Sequence, residues 1–200
     1  MAYSNTSSAA FGAGMRIVMS SLLLRDIVGE SNASNVIERW REPHRGFHTV
    51  KHLNSVLAAF EPEEKAFILA AFYHDAIYIP GCSGNEADSA RLLEKHTSHV
   101  PRDETIEKAL RLIRSTAIFA HKTDPDEERF FLADCAVLKS PMAGLLEYER
   151  EIRDEFKGVT KEAYVSGRCA FLDSAAAVFP ENAESLLYLK TLVKGNFPQK

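Results

Sequence analysis

Apolar residues return every three or four positions along almost the whole chain, and they nowhere sustain the strict alternation of a strand. Met15 to Val28 carries Ile17, Val18, Leu22, Leu23, Leu24 and Ile27, and Gly29 follows as a stop signal. The same period runs through Val36, Ile37 and Trp40, and then from Asp103 to Thr116 through Ile106, Ala109, Leu110, Leu112 and Ile113. It continues from Pro141 to Phe156, from Lys161 to Phe179 and from Glu181 to about Lys194. No hairpin dipeptide separates two apolar runs. The pattern predicts an all-α fold, a helical bundle of about eight to ten helices.

Local signals place several helix ends. Asn32-Ala33-Ser34 can cap the second helix, and Pro43 interrupts it because proline lacks a backbone donor. A third helix is expected from just after Gly46 to about Phe60, and Pro62-Glu63-Glu64 opens a fourth. Ile79 to Gly84 reads as a loop, after which Asn85 can cap the next helix. Arg129 to Lys139 is mostly apolar. Residues 1–14, small and polar, read as a loose tail, and residues 15–200 read as a single domain without repeats or a linker.

Composition excludes some classes of function. With 24 basic and 28 acidic residues the net charge is -4, which argues against general nucleic-acid binding and gives no polybasic membrane signal. The longest apolar runs are about eight residues, far short of the roughly 20 needed to span a bilayer. Met1 to Gly14 lacks a basic region before an apolar stretch, so no secretory signal is expected. Cys82, Cys135 and Cys169 are far apart and odd in number. They are expected to be reduced thiols in a cytoplasmic protein. Apolar faces that build a core are also compatible with a homodimer.

One run carries chemistry at its end. Ala66-Phe67-Ile68-Leu69-Ala70-Ala71-Phe72-Tyr73 reads as a buried helix, and it delivers His74-Asp75 directly after it. A buried imidazole and carboxylate are costly unless paired, and a divalent cation is one such partner. A hydrogen-bonded pair at a helix end is the other reading of that dipeptide. Upstream, His44, His48 and His52 recur every four residues; on one helix, His48 and His52 would share a face. Surface or capping roles would explain them equally well. Downstream, Asp134 interrupts the apolar run from Phe130 to Leu138, either as a buried carboxylate needing a cation or as an exposed or capping residue. Mixed imidazole and carboxylate ligation suits Mn, Fe, Ni, Zn or Mg and does not choose among them.

The order of His52, His74-Asp75 and Asp134 resembles the H…HD…D signature of the HD superfamily of metal-dependent phosphohydrolases. The segment from Glu42 to His52 looks like the E-P-H-R-x-Y-H-x-x-x-H stretch of a bacterial group of predicted HD phosphohydrolases. Asn85 to Ala90 is similar to that group's N-E-x-x-S-A, and Phe131 to Leu138 to its F-L-x-A-D-x-A-I-L. Tyr148 to Phe156 and Tyr164 to Arg168 resemble its C-terminal helices, so the resemblance spans roughly Trp40 to Leu172. Two departures stand out. Leu132 occupies the first aspartate position of a D-A-D motif, and Thr116 and His121 are five apart where the group tends to have them close together.

The resemblance implies an HD-domain-like bundle and hydrolysis of a small phosphoester, a nucleotide among the candidates, with a phosphorylated small molecule as partner. It implies His52, His74, Asp75 and Asp134 as ligands of one divalent metal ion. Phe47 to Val56 is similar to the Y-H-N-x-x-H-A-x-D-V segment of cyclic-nucleotide phosphodiesterases, where the second histidine is a ligand and the first donates a proton. This carries His52 over as ligand and His48 as general acid; the reverse assignment stays open. Arg45 would clamp a phosphate, and Glu86 would order a water or a second metal. Two rival classes remain: an HD-fold di-iron oxygenase, for which His121, His44 and Glu86 are the extra candidate ligands, and a non-catalytic metal- or nucleotide-binding domain.

Overall fold

The computed structural model describes residues 5–195 and Phe197, with side chains from Gly14 onward. Ten α-helices and two short 3-10 turns make up its regular structure, and no strand occurs among the described residues. The helices are α1 (Asn5–Val28), α2 (Glu30–Arg39), α3 (Val50–Leu57), α4 (Lys65–Tyr73) and α5 (Asn85–His96). They continue with α6 (Glu104–Ser115), α7 (Pro125–Asp134), α8 (Met142–Glu155), α9 (Lys161–Val178) and α10 (Ala183–Lys194). The all-α expectation is met. No helix among the described residues is long and apolar enough to cross a membrane. Helix α1 reaches back to Asn5, into the stretch expected as a tail. Ala9, Ala10 and Ala13 are strong helix formers, a signal that outweighs the polar look of that stretch.

Contacts divide the chain into two units: 1–42 with 48–118, and 43–47 with 119–200. The first is built around α4. Every residue from Ala66 to Tyr73 is buried, because a helix apolar on all sides must be surrounded. It packs against α1, α2, α3, α5 and α6. Helix α6 turns Ile106, Ala109, Leu110, Leu112 and Ile113 inward, and the Asp103 carboxylate accepts from the Ile106 N–H at 2.9 Å to cap its start. Burying each large side chain of this kind contributes about 1.5–3 kcal/mol. On α1, Met15, Val18, Met19 and Leu22 form an exposed apolar row along one helix face.

Three helix starts differ from the sequence expectation. Helix α2 begins at Glu30 after Gly29, whose φ of 83° is in the left-handed region that favours glycine. Asn32 is therefore inside α2, where its amide donates to the carbonyls of Val28 (2.9 Å) and His96 (3.3 Å). Asn85 likewise starts α5 without capping it; its side chain exchanges two hydrogen bonds with the Ile79 backbone, at 3.1 and 3.0 Å. Helix α3 starts only at Val50 and ends at Leu57. The backbone N–H groups of Gly46 and Phe47 are held instead by Glu155 Oε1, at 2.9 and 2.8 Å.

That tie belongs to the second unit. Phe47 packs edge-on against Tyr148, with ring centroids 4.7 Å apart. A Cβ at Gly46 would collide with the Glu151 carbonyl, so only glycine fits. Asp124 caps α7 through the N–H groups of Asp126 and Glu127, with Pro125 at the first turn. Helix α10 packs on α8 and α9. Between α8 and α9 lies a charged core. Glu149, fully buried, accepts from Arg168 Nε and from the Tyr164 hydroxyl, both at 2.7 Å. The Arg168 guanidinium also lies over the rings of Tyr148 and Phe171, at 4.6 and 4.8 Å.

His121 closes the C-terminal end of α9. Its Nδ1 is 2.7 Å from Glu128 Oε1, and its Nε2 is 2.9 Å from the Val178 carbonyl. Both partners are acceptors, so the doubly protonated ring suits the site, as does a cation at a helix C-terminus. The Glu128 carboxylate, with the Val178 carbonyl behind it, raises the His121 pKa above its ordinary value. The folded chain thus holds this proton more tightly than the unfolded one. The stabilisation is complete below about pH 6.5 and is lost as pH rises through the folded pKa. NMR titration should place the His121 midpoint above that of a free histidine. The urea midpoint of His121→Gln should fall less steeply than that of the wild type across this window.

Candidate metal centre

Three potential ligands meet in the first unit. His74 follows the last residue of α4, where its N–H still donates to the Ala70 carbonyl. It is 1% exposed, and its Nδ1 donates to the Ala71 carbonyl at 3.0 Å. In the neutral ring this puts the proton on Nδ1 and leaves the Nε2 lone pair facing inward. Asp75 is carried alongside, with Oδ2 3.2 Å from His74 Nε2. His52, the third residue of α3, approaches from the other side: its Nε2 is 3.4 Å from His74 Nε2 and 4.0 Å from Asp75 Oδ2.

These spacings fit a cation. Donors about 2.1 Å from one ion stand roughly 3.0–3.4 Å apart at right to tetrahedral angles, and at most about 4.2 Å when opposite. Two of the three separations lie in the first range and the third inside the limit. Two imidazole nitrogens and one carboxylate oxygen, nearly sealed from water, make a donor set that suits a divalent ion.

Around the trio, the first unit adds supports that the sequence did not reveal. Trp40, fully buried, packs against both imidazoles and donates from Nε1 to the Phe72 carbonyl at 2.9 Å. The loop that follows Asp75 is tied to α5: the Ile77 N–H donates to Ser89 Oγ at 3.0 Å, and Asn85 holds Ile79. The N-E-x-x-S-A likeness was the available signal for these two, although it did not say what they brace. Tyr78 in that loop lies against His48, with ring centroids 4.2 Å apart and planes at 33°.

His48 is not on α3, because Thr49 is the residue before that helix. The expected shared face with His52 does not form; the two rings meet edge-on at 5.7 Å. His48 is 19% exposed, and its Nε2 comes within 3.9 Å of Asp75 Oδ2. Glu86 is half-buried in the first turn of α5. Arg45 and Asp134 belong to the second unit. Arg45 is 7% exposed, and Asp134 is half-buried as the last residue of α7. His44, also in the second unit, is exposed.

Two other histidines have their own work. Both ring nitrogens of His121 are engaged as described. His96 is paired with Tyr73, whose hydroxyl lies 2.8 Å from His96 Nδ1. Burial holds the His96 pKa down and the Tyr73 pKa up, so the phenol donates to a neutral ring. No protein-family model matches the chain, and no curated protein or solved structure matches it significantly.

Proposed function

We propose that the chain is a divalent-metal-dependent phosphohydrolase acting on a small phosphoester. The observation that carries this reading is the convergence of His52 Nε2, His74 Nε2 and Asp75 Oδ2 at ligand spacing in a nearly sealed site. Asp134 is the fourth ligand, on the strength of its place in the H…HD…D order. When bound, the ion supplies Lewis acidity toward water and a phosphoryl oxygen. His52, His74 and Asp75 hold it, and the Ala71 carbonyl keeps the His74 proton on Nδ1.

His48 is the general acid for the departing oxygen. It is the most exposed of the three neighbouring histidines, and an imidazole can donate a proton to a departing oxygen. Tyr78 limits rotation of its ring. Arg45 is the phosphate contact and Glu86 the residue that orders a water, both as the motif order implies.

Elemental analysis of the purified chain tests the metal, and a panel of nucleotides and other phosphomonoesters and diesters tests the reaction. His48→Ala should retain stoichiometric metal and lose about 100- to 10,000-fold in turnover. Loss of metal in that variant would make His48 a ligand and reverse its role with His52. Two irons per chain would favour the oxygenase class instead.

A further inference from the structure

The sole tryptophan of the chain is placed where it touches both ligand imidazoles at once. Trp40 follows the last residue of α2, with no exposed surface. Its ring centroid is 5.4 Å from that of His74 and 6.2 Å from that of His52, with both pairs tilted at 48°. Its Nε1–H is fixed on the Phe72 carbonyl, in the last turn of α4. His74 and His52 come from different helices, and nothing in the covalent chain keeps their Nε2 atoms 3.4 Å apart. One rigid ring, fastened to α4 and packed on both imidazoles, restricts the rotation of each.

We propose that Trp40 is a positioning residue of the metal centre: its indole, locked by the Phe72 carbonyl, holds His52 and His74 in the orientation an ion requires. This rests on the metal-centre reading and is independent of the reaction assigned to it. Outer residues that orient metal ligands typically change metal affinity by about 10- to 100-fold when removed. Trp40 has no contact with solvent, so its effect is on ligand geometry and dryness rather than on substrate.

The test is Co(II) binding, read by calorimetry and by the visible absorption of the bound ion, which reports coordination geometry. Trp40→Leu should weaken binding by about 10- to 100-fold and change the spectrum. Trp40→Phe keeps a ring and loses the donor, and should fall between Trp40→Leu and the wild type. Phe60→Leu is the control, because Phe60 is equally buried and stacks on Phe67 at the other end of α4. It should leave affinity and spectrum unchanged. Circular dichroism confirms that each variant keeps its helices.

A measurement without substitution covers the case in which the Trp40 variants fail to fold. Biosynthetic 5-fluorotryptophan gives a single fluorine resonance, which should shift on Zn(II) addition in the otherwise unaltered chain and stay still in His74→Ala. Unchanged Co(II) affinity and spectrum in both Trp40 variants would overturn the proposal, as would a fluorine resonance indifferent to bound Zn(II). Failure of the wild type to bind either ion would overturn the metal centre itself.

Discussion

Asp75→Ala is expected to lower divalent-metal affinity by more than about 100-fold, beyond the loss typical of an outer residue, while leaving the helix content unchanged. Asp75 supplies the charge in an otherwise neutral trio. Its Oδ2 is within 4.0 Å of both the His52 and His74 Nε2 atoms. Removing it leaves the trio with two neutral imidazoles, which offset none of the ion's charge. The residue lies past the end of α4 at Tyr73, so the helix itself is not shortened. His74→Ala should lose metal to a similar degree. It should also destabilise the fold, because it empties a buried position. Calorimetric titration with Mn(II) and Zn(II) reads the affinity. Wild-type affinity in both variants would remove the basis for the centre. Binding should also weaken in acid, since an imidazole must be neutral to ligate.

The second large effect concerns stability. Arg168→Ala should cost about 3–5 kcal/mol, the range for leaving one member of a buried ion pair alone. Glu149 has no exposed surface, and its remaining partners would be the Tyr164 hydroxyl and, at 3.9 Å, Arg153 Nη2. The substitution also removes a cation from between two aromatic rings. Replacing both charges with apolar side chains of similar size (Glu149→Leu with Arg168→Met) should cost much less than the single change, because the desolvation of both groups disappears with them. Urea unfolding of the two single variants and the double variant gives the coupling. A loss below about 1 kcal/mol for Arg168→Ala would show that the carboxylate finds water or another cation.

What could be read in the sequence depended on how local the cause was. The helices announced themselves through period, and α4 through a run of eight apolar residues. His74 and Asp75 were visible because polar groups ending such a run need a partner. His52 was visible through the histidine spacing, although the helix meant to carry His48 beside it begins too late. The late start of α3 has a distant cause, because Glu155 claims the Gly46 and Phe47 N–H groups, whereas Asn32 and Asn85 are drawn chiefly to the nearby backbone of Val28 and Ile79. Trp40 looked like ordinary core because nothing local distinguishes an aromatic ring that packs on a histidine from one that packs on leucine. Arg45 was readable only as a member of a motif, and Asp134 also as a carboxylate interrupting an apolar run.

The short stretch Pro43–Phe47 has a consequence for how the protein can be made and cut. The chain joins the second unit there, leaves it at His48 and rejoins it at Phe119. No single cleavage point therefore yields both units whole. A fragment beginning at Phe119 would lack the two N–H donors of Glu155 and the ring that meets Tyr148. Closing the loop from Gly46 to Glu155, a separation of 109 residues, carries an entropic cost of about 4 kcal/mol beyond the constant term. During synthesis at about 5–20 residues per second, Gly46 waits roughly 5–20 s for its partner to be made. The first unit has all its residues by Ile118 and can assemble during that wait. The second has no such head start: its completion is a late, long-range event, and the segment between His44 and His48 stays in suspense until then.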